Sequence, residues 1–337
     1  VSIIDINSGE ALVGDTLNGS YAFNDVDGDI EGTSTYRWLR DGTTVIGTSH
    51  AYTLVTADSG ATITFEVTPI AIAGNTTGAA VVSGGIVVAN SAPVASAVSI
   101  SDANGGDALV GDTLTGNYTF SDVDDDTEGT STYRWLRDGT IVVGTSQTYT
   151  LVTADSGATI AFEVTPVAAT GTATGTAVVS AGVVVANSAP TARAVNISDD
   201  NGGEVLVGDT LTGNYSFNDV DGDAEGTSTY RWLSNGSPIA GATSTSYTLV
   251  AVDTGTTITF EVTPVASTGI STGTAVTSGG FVVTNSAPVA SAVTITDGNG
   301  GDALIGDTLT GNYTFSDVDD DTEGTSTYRW LRDGTTV

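Results

Sequence analysis

The stretch Asn117-Tyr-Thr-Phe-Ser-Asp-Val-Asp-Asp-Asp-Thr-Glu-Gly-Thr-Ser-Thr-Tyr-Arg-Trp-Leu136 is an acidic loop set between two patches of alternating aromatics, and it occurs four times in the chain. The tryptophans that mark it, Trp38, Trp135, Trp232 and Trp330, follow one another at intervals of 97, 97 and 98 residues. A fixed period of this kind is the signature of a tandem array, and a repeat of that length is enough to bury one core of its own. Val1 aligns with Val98, and Val337 aligns with Val45 inside a unit. The 337 residues therefore read as a window cut from a longer array: residues 1–90 (N-terminally truncated), 91–187, 188–285 and 286–337 (C-terminally truncated).

Within the second repeat the pattern is that of short strands. Val94 to Ile100 alternates loosely, and a turn follows at Asp102 to Gly106. Leu114, Gly116, Tyr118 and Phe120 then fall on one face of a strand. Beyond the acidic loop, Tyr133 and Trp135 share one face of the next strand, while Arg134 and Leu136 take the other. Asp138-Gly139 is a hairpin signal, Tyr149 and Leu151 mark a further strand, and Asp155-Ser-Gly157 is a tight turn. Ile160, Phe162 and Val164 form a strand ended by Pro166, and Val178 to Val185 closes the unit as one more. About seven strands with Gly, Asp and Asn turns and no helical period predict an all-β fold, a series of β-sandwiches arranged end to end, with Trp135 as the core pivot of this repeat. The joints Asn90-Ser-Ala-Pro93, Asn187 to Pro190 and Asn285 to Pro288 are too short for flexible tethers, so stacked modules with limited play are expected, a plain short linker being the alternative.

These residues carry a resemblance. A tryptophan on the third strand, followed by Asp155-Ser-Gly157 leading into Ile160-Ala-Phe162, is similar to an immunoglobulin-type sandwich, with Phe162 near the place of the second cysteine of antibody domains. Gly111-Asp-Thr-Leu-Thr-Gly116, the Asp-Val-Asp-Gly-Asp loop, Tyr133-Arg-Trp-Leu136 and Phe162-Glu-Val-Thr-Pro166 more closely resemble the bacterial Ig-like repeats of large cell-surface and secreted proteins, adhesins included. The resemblance implies an extracellular or cell-surface setting. It specifies the module and leaves the function open, because such modules serve as spacers, adhesive units and fibre subunits alike.

Composition narrows the function classes. The net charge is −32, from 40 acidic and 8 basic residues, and every basic one is arginine. Phosphate backbones need basic surface, so nucleic acid is not expected as a partner, and an anionic membrane is disfavoured for the same reason. High negative charge can signal disorder, but period-two aromatics beside β-branched residues argue for a folded chain. With no cysteine there is neither a disulfide framework nor a thiolate metal site. No start methionine or signal peptide is visible, as expected of a fragment. The most apolar stretch at a seam, Val178 to Ile197, is interrupted by Ser180, Asn187, Ser188, Pro190 and Arg193, so no membrane insertion is expected.

Four carboxylates alternate along the acidic loop of each repeat: Asp25, Asp27, Asp29 and Glu31; Asp122, Asp124, Asp126 and Glu128; Asp219, Asp221, Asp223 and Glu225; Asp317, Asp319, Asp321 and Glu323. A curled loop with this spacing can turn its oxygens around one hard cation. Ca2+ is the expected ion, since it takes six to eight oxygens in loose geometry, where Mg2+ demands a strict octahedron. Gly28 and Gly222 are replaced by Asp125 and Asp320 in the other repeats, so the pattern is not that of an EF-hand. Two such charges ~4 Å apart repel by up to ~4 kcal/mol near a surface, a large share of the ~5–15 kcal/mol that holds a domain together. The alternative is a splayed, solvated loop of turn-forming aspartates. Asp102, Asp107 and Asp112 could complete the shell or form a second site near the joint.

Seven of the eight arginines, Arg37, Arg40, Arg134, Arg137, Arg231, Arg329 and Arg332, lie beside the tryptophans. Neutralisation of the adjacent carboxylates is the simpler reading, and an ion pair to another module or chain the sharper one. His50 has Gln147 and Ser246 as counterparts and reads as an incidental surface residue. Catalysis needs one particular set of groups, whereas every polar cluster here recurs per repeat, so an enzyme is not expected. Residues 111–140 and 306–335 are identical. Copies suit a structural array, a calcium-stiffened filament or adhesin stalk, whose partners are copies of itself meeting end to end or laterally. Any surface ligand would then be bound by regions outside this chain. The rival is a repeat region that itself binds carbohydrate or ice through exposed threonine rows, although threonine on an exposed strand is first of all good strand chemistry.

Overall fold

The computed structural model describes residues 1–74 and 76–337, and the chain divides into two compact units, Val1–Ala186 and Asn187–Val337. The first unit holds two sandwiches. The first comprises β1 (Ser2–Asp5), β2 (Thr16–Ser20), β3 (Thr35–Arg40), β4 (Thr44–Gly47), β5 (Ala51–Thr53), β6 (Thr62–Thr68), β7 (Val81–Val82) and β8 (Ile86–Val87). The second comprises β9 (Val94–Asp102), β10 (Thr113–Ser121), β11 (Thr132–Arg137), β12 (Ile141–Gly144), β13 (Thr148–Thr150), β14 (Thr159–Thr165), β15 (Val178–Val179) and β16 (Val183–Val184). In each, one sheet has the order β9-β10-β13 and the other β12-β11-β14-β15, with β16 also on β14, all antiparallel; β1-β2-β5 and β4-β3-β6-β7 repeat the arrangement. This division of strands between two sheets, with a tryptophan on the third strand, is that of an immunoglobulin-like sandwich.

The core follows from the strand faces. In β11 and β14, Trp135 stands opposite Phe162, and both are fully buried with Leu114, Ile160 and Val164. The indole N–H donates to Ser146 O at 2.9 Å, which removes the one polar cost of burying it. Gly116 faces Phe162 so closely that a Cβ there would lie 2.3 Å from the ring. The ring and the bare glycine thus lock the two sheets together by shape alone.

Three expectations change in detail. Val178 to Val185 is two strands rather than one, because the buried Ser180 Oγ accepts from Phe162 N and donates to Ala181 O, which breaks the ladder. The turn at Asp155 is preceded by a single turn of 3-10 helix, Thr153–Asp155. In β9, Ala97 and Val98 together oppose Tyr118, a bulge that holds Ala97 at φ 50°.

In the second unit, β17 (Thr191–Asp199), β18 (Thr210–Asn218), β19 (Thr229–Ser234), β20 (Ser237–Pro238), β21 (Ser246–Thr248), β22 (Thr257–Thr263), β23 (Val276–Thr277) and β24 (Phe281–Val282) build a third core around Trp232 and Phe260. They are followed by the hairpins β25 (Val289–Asp297) with β26 (Leu309–Ser316) and β27 (Leu331–Arg332) with β28 (Thr335–Thr336). Trp330 is 44% exposed. No helix of the described residues is long and apolar enough to cross a membrane.

Candidate cation site at the acidic loop

The register of β9 on β10 sets where the loop lies. Ser121, the last residue of β10, pairs with Val94, the first of β9, so the acidic loop emerges beside the joint Asn90–Pro93. Its first aspartate closes the turn: Asp122 Oδ1 accepts from Asp124 N at 2.8 Å, as Asp219 does from Asp221 and Asp317 from Asp319. In the first module, Asp25 Oδ1 accepts from both Asp27 N and Asp29 N. The position that alternates between glycine and aspartate is left-handed throughout, with φ 84° at Gly28, 61° at Asp125, 78° at Gly222 and 63° at Asp320. Asp is among the few side chains that adopt this conformation readily, which explains why the two residues interchange.

The second and third aspartates hold the joint. Asp124 Oδ2 accepts from Ser91 N at 2.6 Å, and Asp126 Oδ2 from the Asn90 amide at 2.8 Å. In the second unit Asp221 takes Ser188 N at 2.5 Å and Asp223 the Asn187 amide at 2.8 Å, while Asp319 takes Ser286 N at 2.6 Å. The asparagine is gripped from the other side as well: Thr172 N donates to Asn90 Oδ1 and Thr172 Oγ1 to Asn90 O. The preceding module also contributes, through Thr56 Oγ1 on Val123 O in the first unit and Thr254 Oγ1 on Asp319 Oδ1 in the second. Hydroxyl and amide donors stabilise the charged form of these carboxylates. Asp126 is held below the usual aspartate range, chiefly by Thr170 and then by Asn90, and Asp223 likewise by Thr268 and then Asn187.

Two residues essential to this grip are invisible to a search for charged groups. A Cβ at Gly175 would lie 2.0 Å from Pro93 O, and one at Gly171 would lie 2.2 Å from Asn90 Oδ1, with Gly273 and Gly269 placed in the same way in the second unit. The recurring pair of glycines four residues apart was the available signal.

The fourth carboxylate of each set is committed elsewhere. Glu128 Oε1 accepts from Tyr118 OH at 2.5 Å and from Ser131 Oγ at 2.6 Å, and Tyr118 OH lies 3.0 Å from Tyr133 OH. Glu31, Glu225 and Glu323 are bonded in the same way to Tyr21 and Ser34, Tyr215 and Ser228, and Tyr313 and Ser326. Burial, and then the bond to Glu128, push the Tyr118 phenol well above its ordinary range. Asp102 and Asp112 lie at the other end of β9 and β10, roughly 25 to 33 Å from their own acidic loop by strand rise, so they cannot complete its shell. They join instead through Asn104, whose N–H donates to Asp102 Oδ1 and whose amide donates to Asp112 Oδ1, and Asp107 is exposed.

Arg37, Arg40, Arg134, Arg137 and Arg231 pair inside their own modules, and among the described residues their ion pairs do not run to the acidic loop. Arg134 meets Glu163 across β11 and β14 at 2.5 Å, and Arg137 meets the fully buried Asp155 at 2.7 Å. His50 is exposed and lies edge-on to Tyr36.

What the loop leaves over bears on a cation. Among the described residues, Asp122 Oδ2 and Asp124 Oδ1 are buried without a hydrogen-bond partner, as are Asp219 Oδ2, Asp221 Oδ1 and Asp317 Oδ2. Asp124 and Asp221 are 9% and 8% exposed. A buried carboxylate oxygen with no donor is costly, and a hard divalent ion is the partner its chemistry suits. Among the described residues no group of three or more acidic or imidazole side chains is gathered as a metal centre. The residues fit a cation through two aspartates of the loop, with any further oxygens coming from backbone or water.

No protein-family model matches the sequence, and no curated protein does. Among solved structures, the chain is similar to three N-terminal domains of the highly immunogenic outer capsid protein (Hoc) of bacteriophage RB49, at 15% identity over 84% of this chain and 98% of that one, with a TM-score of 0.25. It is similar also to a Ca2+-stabilized adhesin with which an Antarctic bacterium binds ice, at 15% identity over 88% and 76% of the two chains and a TM-score of 0.29. A third similar structure is that of Dscam, at 15% identity over 81% and 78% and a TM-score of 0.22. The chain's own sheets, their strand order and the tryptophan at each core make it a tandem array of immunoglobulin-like β-sandwich modules.

Proposed function

We propose that the chain is a structural segment of an extracellular or cell-surface protein, a filament or adhesin stalk whose joints are stiffened by calcium. The observation that supports this most is the double use of the loop. One oxygen of Asp124 and one of Asp126 grip the incoming joint, while Asp122 Oδ2 and Asp124 Oδ1 stay buried without a donor. Asp122 and Asp124, with Asp219 and Asp221 and their counterparts Asp25, Asp27, Asp317 and Asp319, would hold the ion. Bound calcium neutralises the loop in the conformation that grips the joint, so occupancy stabilises the joint itself. Asp126 and Asp223 act on the linker, and the glutamates act on the tyrosines. No catalytic role is assigned. Copies of the chain are the proposed partners.

Calcium titration of the intact chain tests the metal reading. At a concentration about 100-fold above Kd, a single site adds about 2.7 kcal/mol of stability, which appears as a raised melting temperature relative to EDTA. Asp122→Asn with Asp124→Asn should abolish the part of the shift that belongs to the second module. Equal melting in calcium and EDTA overturns the reading. Electron microscopy in calcium separates filament from stalk, by whether particles are many chains long or one.

A further inference from the structure

We propose that the tyrosine pairs Tyr21/Tyr36, Tyr118/Tyr133, Tyr215/Tyr230 and Tyr313/Tyr328 are oxidative cross-linking sites, each closing to a dityrosine within its module under a haem peroxidase and hydrogen peroxide. In every pair the two hydroxyls meet: they are 2.9, 3.0, 2.9 and 3.1 Å apart in chain order. The ring centroids are 5.7, 6.0, 5.9 and 5.8 Å apart, with the planes tilted by 52°, 52°, 52° and 56°. In two phenols that touch through their oxygens, the ortho carbons are the ring atoms next to the carbons that bear the contact. Those are the atoms that radical coupling joins, and a twist between the rings is what a biaryl bond accepts.

The surroundings favour the step. Removing an electron from a phenol requires its proton to leave, and Glu128 Oε1, 2.5 Å from Tyr118 OH, is placed to take it. In the balanced reaction each ring gives up one electron and, in total, one hydrogen from an ortho carbon. A carbon–carbon bond forms between the two ortho positions, and both hydroxyls are restored. Hydrogen peroxide takes the two electrons and two protons and leaves as two waters.

The topology gives the bond a consequence. Tyr118 lies on β10 and Tyr133 on β11, strands of different sheets, so the link would staple the sandwich across the base of the acidic loop. A chain with no cysteine and no lysine has neither a disulfide nor a lysine isopeptide bond with which to do this. The other three tyrosines are built-in controls: Tyr52, Tyr149 and Tyr247 donate instead to the buried Asp58, Asp155 and Asp253.

The test treats the full chain, at low concentration, with a haem peroxidase and hydrogen peroxide, and reads dityrosine fluorescence, intact mass and the cross-linked peptides. The expected product is a monomer that has lost two hydrogens per closed pair, with Tyr118 joined to Tyr133 and the other pairs joined likewise. The fourfold variant Tyr21→Phe, Tyr118→Phe, Tyr215→Phe, Tyr313→Phe should lose the fluorescence, while Tyr52→Phe, Tyr149→Phe, Tyr247→Phe should keep it. Should either variant fail to fold by circular dichroism, peptide mapping of the unaltered chain decides alone. No fluorescence where free N-acetyltyrosine couples in the same mixture overturns the proposal. So do links that run between chains, or that involve Tyr149 as readily as Tyr133.

Discussion

The first two modules and the third solve one problem differently. Each buries an aspartate at the end of the 3-10 turn, Asp58, Asp155 and Asp253, at 0%, 0% and 2% exposure. In all three, Oδ2 receives the tyrosine hydroxyl and a backbone N–H three residues back: Tyr52 and Val55, Tyr149 and Val152, Tyr247 and Val250. In the first two, Arg40 and Arg137 add a guanidinium on Oδ1 at 2.7 Å. In the third, that arginine is Ser234, whose hydroxyl bonds to Thr256 Oγ1, and Thr256 in turn bonds to Asp253 O. The modules with arginine carry Ala61 and Ala158 where the third carries Thr256. The turn therefore depends on the two donors that never change; the guanidinium is added on the carboxylate in two modules, whereas the serine–threonine pair of the third reaches the backbone carbonyl of Asp253.

Removing the charge breaks the comparison most sharply. Asp155→Asn strands a guanidinium whose side chain is only 20% exposed, and it should cost the second module about 3 kcal/mol, at the lower end for a broken buried pair. Asp253→Asn strands no cation and keeps an acceptor for Tyr247, so its cost should be nearer ~1 kcal/mol. Hydrogen exchange read separately on 148–165 and 246–263 distinguishes them, and equal losses would mean that the arginine contributes nothing. The reciprocal exchange is a smaller effect of opposite sign. Ser234→Arg with Thr256→Ala should stabilise the third module by about 1 kcal/mol, whereas Ser234→Arg alone meets Thr256 and should gain less.

A feature the modules share gives the control. Ala97, Ala194 and Ala292 sit at φ 50°, 51° and 49° in the bulge of the first long strand. Glycine there removes a strain of about 1 kcal/mol against its own entropy cost, so Ala97→Gly and Ala194→Gly should each change stability by less than ~1 kcal/mol, and equally. A difference between them would show that the modules diverge beyond the aspartate.

The sequence exposed the frame more readily than the joints. Period-two aromatics placed Leu114, Trp135 and Phe162 in the core because burial on alternate residues is written directly into strand sequence. Aspartates at i, i+2 and i+4 marked the loop, but alternation could not say which oxygen faces what. Glu128 continues the alternation, yet its carboxylate serves Tyr118 and Ser131. Asp155 read as a turn residue, and its burial under Arg137 depends on a partner 18 residues away. The glycines that admit Asn90 and Pro93 leave no mark on hydrophobic or charge patterns, because what matters there is the absence of an atom.

The smallest effect separates the half-buried carboxylates of the joint, Asp126 and Asp223, from the fully buried ones beneath the 3-10 turn. Asp126 and Asp223 are held below the ordinary aspartate value by hydroxyl and amide donors, so each binds its proton less readily in the folded joint than in the unfolded chain. Their contribution is therefore complete above the unfolded value, about pH 3.9, and is lost as the pH falls through the lower folded one. Below about pH 4 the grip on Asn90 and Asn187 should loosen while the cores persist. Amide exchange at 90–92 should then quicken on acidification relative to 160–164, after correction for intrinsic rates. Asp126→Asn should show the looser joint already at neutral pH, with no further acid step from that residue. Joints and cores that respond to acid together would mean that Asp126 and Asp223 give the joint no pH dependence of its own, and the distinction between joint and core would fail.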